Sequence, residues 1–112
     1  MLKRDQRLRK TKEIEAVFAS GRSAYLGAIG IKVAKNSLTI PRFTVLVNKK
    51  VSKKAVLRNK LKRRIREILK KQLVNLAPHD FVIICQPAAL HLELPELRQN
   101  LQGLLVKLRM LL

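Results

Sequence analysis

The side chains best placed to do chemistry lie between Arg58 and Arg66. They are Arg58, Asn59, Lys60, Lys62, Arg63 and Arg66, with Arg64 among them. An arginine guanidinium can grip two phosphate oxygens at once in a planar fork, whereas a lysine ammonium is a looser point charge. Asn59, set among the cations, carries both donors and acceptors. It can read a 2′-hydroxyl or a base edge, or serve the local backbone. Within this stretch Glu67 is the one acidic neighbour, so ion pairing along a helix cannot absorb the charge. Such like-charge crowding is unfavourable alone and becomes favourable when phosphates neutralise it.

The element that positions these groups is a long helix. Ser52 can cap it, and apolar periodicity carries it to about Leu76, where Pro78 and His79 end it. At about 100° per residue, Leu57, Leu61, Ile65, Ile68, Leu69, Gln72 and Leu76 share an arc of roughly 120°. The cations fan over the remaining circumference. Before this helix, Ile14, Val17 and Phe18 mark a short helix that Thr11 can cap and Gly21 can close. Tyr25 to Ala34 reads as a strand, Phe43, Val45 and Val47 alternate as another, and Asp80 to Cys85 is a short apolar strand. Pro95 can open a last helix, with Leu97, Leu101, Leu104, Leu105, Leu108 and Leu112 as its stripe. The pattern is α+β, with helices covering a small sheet.

Charge follows the same map. The 112 residues carry 25 Lys+Arg against 7 Asp+Glu, a formal +18. Residues 42–71 hold +12 of it and residues 1–12 another +5, so the charge is a footprint rather than a general solubility device. A neutral metabolic enzyme and an acidic adaptor both fit poorly. With 47% hydrophobic residues the chain has a core, unlike a disordered basic tail. Nucleic acid is the expected partner. Contacts aimed at phosphates more than at base edges favour a structured RNA over the DNA major groove, but composition leaves both open. Cys85, the one cysteine, excludes an internal disulfide and multi-cysteine zinc modules. His79 and His91 have no companions at catalytic spacing, and the scattered carboxylates suggest no two-metal cluster. No apolar run nears the roughly 18 residues of a membrane span, and no apolar segment makes the basic start a secretory signal. A soluble cytoplasmic protein is expected.

The segment RFTVLVNKKVSKKAVLRNKLKRRIREI, residues 42–68, closely resembles the signature region of the bacterial ribonuclease P protein family. Lys49 and Lys50 match the Lys-Lys pair after a strand. Arg58 and Asn59 open the Arg-Asn-Arg motif, and Lys62, Arg63, Arg66 and Glu67 follow in register. RLRKTKEIEAVFASGRS and DFVIICQP look like the family's opening and its late strand. Lys60 departs from the third motif position, keeping charge without the fork. Thr44 stands where glycine is common and Asn48 where a small residue is usual. Ile14 stands where phenylalanine is frequent, while Phe18 keeps the second aromatic.

The resemblance implies a single domain over 1–112 with residues 1–10 as a basic N-terminal arm. Its fold would be a small ribosomal-protein-like sandwich, α-β-β-β-α-β-α in order, with a four-stranded mainly antiparallel sheet packed by helices. A short strand near Ser23 to Tyr25 would complete the four. The implied function is that of an accessory subunit of an endoribonuclease, which removes the 5′ leader of precursor tRNA to leave the mature end. The catalytic RNA would do the chemistry and hold the Mg²⁺, with none bound stably by the protein and no catalytic residue on it. Arg58, Asn59, Lys60, Lys62, Arg63 and Arg66 would face the catalytic RNA. Ile14, Phe18, Lys49 and Lys50 would face the leader, and Arg4, Arg7 and Arg9 would brace either RNA. The partners are those two RNAs, with no membrane and no obligate protein partner. The alternatives are a ribosomal or general structural RNA-binding protein without a nuclease role, and a small DNA-binding protein.

Overall fold

The structure, a computed structural model, describes residues 7–36, 38, 40–72 and 75–110. Helix α1, Thr11–Ser20, leads into strands β1, Arg22–Leu26, β2, Ile29–Lys35, and β3, Arg42–Leu46. Helix α2, Ala55–Gln72, then crosses to β4, His79–Cys85. A 3-10 turn at Pro87–His91 precedes α3, Leu94–Lys107. The strands lie side by side in the order β1-β2-β4-β3. β1 with β2 and β2 with β4 are antiparallel, and β4 with β3 is parallel. The parallel pair requires a crossover longer than a hairpin, and α2 supplies it.

The expected strand from Tyr25 to Ala34 runs across a hairpin instead, and its start belongs to β1, which covers the short strand expected near Ser23 to Tyr25. Leu26 pairs with Ile29, leaving a two-residue turn in which Gly27 takes φ 59°. A tight hairpin needs positive φ there, which glycine reaches without steric cost. The apolar alternation runs through the turn and hides it. The helix limits also shift. Lys10 rather than Thr11 occupies the cap position of α1. Ser52 Oγ accepts a hydrogen bond from the Lys54 amide at 3.2 Å, holding a turn, and α2 begins at Ala55. α2 ends at Gln72, and Leu76 is buried beyond it.

α2 and α3 pack on one face of the sheet. Leu61, Ile65, Ile68 and Leu69 of α2, with Leu97, Leu101, Leu104 and Leu105 of α3, close over Ile29, Ile31, Val33, Phe43, Val45, Phe81 and Ile83. The Phe43 and Phe81 rings stack at 4.9 Å between centroids, joining β3 to β4 inside this layer. α1 lies on the opposite face, where Val17 meets Val82 and Leu8. The arm is tied down beside β3: Arg7 bridges to Phe43, and the Leu8 amide donates to the Phe43 carbonyl at 2.6 Å.

One half-buried polar cluster, centred on the buried Asp80, ties these layers together. Arg42 donates to both carboxylate oxygens of Asp80, Nε to Oδ1 at 2.9 Å and Nη2 to Oδ2 at 2.8 Å. Its Nη1 reaches Glu13 Oε2 on α1 at 2.7 Å. Asn36 Nδ2 donates to Asp80 Oδ1 at 2.9 Å. The Asp80 bonds raise the Arg42 pKa above its ordinary value against the opposing effect of burial. Arg42 therefore spends its charge inside the fold, although it falls within the basic footprint of residues 42–71. Cys85 is buried in β4, and burial pushes its thiol up to about 12, which keeps it protonated and unreactive at neutral pH.

Candidate nucleic-acid interface

The α1 face of the sheet is only partly covered. Strand register places Leu46, Ile84, Gly30 and Tyr25 in one row across all four strands, and Thr44, Val82, Lys32 and Ser23 in the next. α1 and Leu8 bury Val82 but leave Leu46 and Ile84 half-buried. Phe18, one residue beyond the buried Val17, is 44% exposed at this edge. It lines a cavity of about 400 Å³ with Val45, Leu46, Val47, Asn48, Ile84 and Lys62. A neighbouring cavity of about 260 Å³ is lined by Ile14, Phe43, Thr44, Leu8, Arg7, Arg9 and Arg66. The two form a cleft walled by α1 and β3, with α2 cations along its rim.

The helix geometry explains that rim. Lys62 and Arg66 are four residues apart and share the border of α2 that leans over β3. Arg63 and Asn59 are exposed on the crown, while Lys60 and Arg64 line a small cavity on the other border with Leu57, Leu61 and Leu90. The residues expected on one RNA-facing surface thus fan around α2, and two of them stand beside Ile14 and Phe18. Arg58 is half-buried and donates from Nη1 to the Ser52 carbonyl at 2.9 Å, bracing the loop before α2. Asn59 makes no side-chain hydrogen bond to a described residue.

Lys49 and Lys50 project from a turn at the end of β3. The Val51 amide donates to the Asn48 carbonyl at 3.1 Å, and the Lys50 amide to Asn48 Oδ1 at 2.9 Å. Asn48 therefore folds the turn that exposes both lysines. Arg7 is half-buried with its Nε unpaired among the described residues. Burial first, and then the charge of Arg7, lower the Arg66 pKa. Two guanidinium groups that repel each other beside an open cavity make a receptive place for phosphate. Arg9 is exposed on the same cavity, and Arg4 lies outside the described residues.

Sequence reasoning missed Lys32. Its Nζ stands 5.3 Å from the centroid of the Phe18 ring, within reach of its π-face. The signal was present as a lone cation between Ile31 and Val33 in an alternating strand. His79 and His91 lie away from the cleft. His79 opens β4 beside Arg22 and Lys35, and burial followed by those two charges lowers its pKa. His91 is exposed at the end of the 3-10 turn. Among the described residues no group of three or more His, Cys, Asp or Glu side chains could hold a metal ion, and no helix is long and apolar enough to cross a membrane.

The Ribonuclease P family model matches residues 2–109. The chain belongs to the ribonuclease P protein family. It is 35% identical to the ribonuclease P protein component of a Cyanothece species, over 94% of this chain and 93% of that protein. It is 39% identical to the component from Pseudomonas aeruginosa, over 87% of this chain and 73% of the other. The solved ribonuclease P protein of Thermotoga maritima superposes with a TM-score of 0.81 at 28% identity, covering 90% of this chain and 96% of that one. As a ribonuclease P protein, the chain keeps the family's element order and a four-stranded mixed sheet. Lys62, Arg66 and the exposed Phe18 meet where β3, α1 and α2 come together.

Proposed function

We infer that this chain serves ribonuclease P through two adjoining surfaces, one for the catalytic RNA and one for the 5′ leader of precursor tRNA. The observation that carries this reading is the cleft itself. Phe18 is exposed on an apolar floor of Leu46 and Ile84, with Lys62 and Arg66 on its rim and no acidic residue in its lining. Single-stranded RNA needs this combination, an aromatic face for a base and cations for the backbone. Ile14, Phe18, Lys49 and Lys50 serve the leader, with Ile14 as a cleft wall rather than a stacking partner. Asn59, Lys60 and Arg63 meet the catalytic RNA. Arg58, Lys62 and Arg66 face it from the border that also overlooks the cleft. Arg7, Arg9 and Arg4 brace either RNA. Residues 1–112 act as one domain with 1–10 as its basic arm, and the cytoplasm is its compartment.

The hydrolysis belongs to the RNA subunit, and Mg²⁺ held by that RNA supplies the metal chemistry. This chain contributes charge and position. Its cations lower the repulsion between two polyanions brought side by side, and its cleft holds the leader so that the cleavage point is presented in register. Contacts through one aromatic and backbone charges need little base specificity, as suits an enzyme that must process many tRNAs.

Reconstitution tests the reading. Adding the chain to a bacterial ribonuclease P RNA at low Mg²⁺ should accelerate release of the 5′ leader well above the RNA alone. No gain, with equal affinity for random duplex DNA and for the catalytic RNA, would make the chain a general nucleic-acid binder.

A further inference from the structure

The apolar strip of the sheet does not stop at the cleft. The row that begins with Leu46 and Ile84 continues through Gly30 to Tyr25 on the edge strand β1. At strand spacings of about 4.8 Å, β3 and β1 are about 14 Å apart, a distance that takes more than one nucleotide. Tyr25, the one tyrosine of the chain, is 49% exposed at the far end. Its ring lies over Gly30: a Cβ placed there would fall 2.3 Å from Tyr25 Cε1 and 2.5 Å from Cδ1. Glycine at position 30 therefore seats the ring on the sheet, and a larger residue would displace it. Lys32, two residues along β2 on the same face, reaches Phe18. The two rows hold no acidic residue, Lys32 stands in one of them and Lys62 borders the cleft end, so the strip is complementary to a polyanion.

We propose that Tyr25 is a second base-stacking residue for single-stranded RNA. In this path the leader runs from Phe18 past Lys32 along the row that α1 leaves partly open, and an upstream base rests on the Tyr25 ring. The path rests on the assignment of the cleft to the leader and extends it by a site at the opposite edge of the sheet. A phenyl ring serves as well as a phenol for stacking, because the contact uses the ring rather than the hydroxyl. A half-exposed edge residue of this kind is also dispensable for the core, so its removal leaves the protein folded.

The experiment uses holoenzyme reconstituted with ribonuclease P RNA and a series of precursor tRNAs whose leaders are shortened stepwise. Binding is measured at one salt concentration for the wild type, Tyr25→Ala, Tyr25→Phe and Phe18→Ala. Tyr25→Ala should lose about tenfold in affinity for the longest leader and nothing for the shortest. Tyr25→Phe should match the wild type, and all variants should bind the RNA subunit alike. If Tyr25→Ala binds every leader as the wild type does while Phe18→Ala loses leader affinity, the second stacking site is wrong and the cleft stands. A Tyr25→Ala loss that is equal with and without a leader would also overturn the proposal. If neither variant changes the dependence on leader length, the cleft assignment fails and the extension fails with it.

Discussion

Replacing Lys60 and Arg63 together by alanine should weaken binding of the ribonuclease P RNA about a hundredfold at fixed salt. Both side chains are exposed on α2, and neither makes a hydrogen bond or ion pair to a described residue. Their loss therefore removes contacts to RNA without opening the core. A charge-assisted bond to phosphate supports about a tenfold effect each. The slope of log affinity against log salt should also become shallower by about 1.5, because two fewer counterions are displaced. Filter binding or fluorescence titration across a salt series checks both numbers. A change below threefold with an unchanged slope would take Lys60 and Arg63, and with them this side of α2, out of the RNA interface. Arg58→Ala is a poorer probe of the same surface, because Arg58 also holds the Ser52 carbonyl.

Asp80→Ala should cost about 3 kcal/mol of folding stability, because it strands the Arg42 guanidinium with half its partners gone. The Asp80 side chain is 9% exposed and that of Arg42 17%, so water replaces the lost carboxylate poorly. The whole fold is worth only about 5–15 kcal/mol. The midpoint of thermal unfolding should accordingly fall by about 10–15 °C. Asp80→Asn, which keeps the shape and one acceptor, should cost less. The consequence reaches the cleft, since Arg42 also holds Glu13 and so ties α1 to β3. Chemical denaturation gives the free energy directly. A loss under about 1 kcal/mol would mean that the cluster behaves as an exposed ion pair.

Periodicity and charge made most of the architecture legible. The α2 wheel placed Leu61, Ile65, Ile68 and Leu69 in the core because their spacing follows the helix repeat, and the structure buries all four. The β1–β2 hairpin was hidden because hydrophobic alternation runs through Gly27 and Ala28 without a polar break. Arg42 looked like part of the RNA footprint because its partners are distant in sequence. Asp80 lies 38 residues away and Glu13 29 residues away. The motif sets Lys62 and Arg66 on the cationic face of α2, but a one-dimensional pattern does not show which neighbour each border of the helix overlooks. Lys32 and Tyr25 escaped for the same reason. Their meaning comes from strand register, which sets both on the α1 face.

The most direct measurement of the two-surface account is a ratio. Affinity for a precursor tRNA is divided by affinity for the same tRNA without its leader, first with ribonuclease P RNA alone and then with the protein added, at one salt concentration. The account predicts that the protein raises this ratio. It further predicts that Phe18→Ala returns the ratio toward the RNA-alone value while leaving RNA-subunit binding intact. A ratio unchanged by the protein, or a Phe18→Ala variant that fails to bind the RNA subunit, would contradict it.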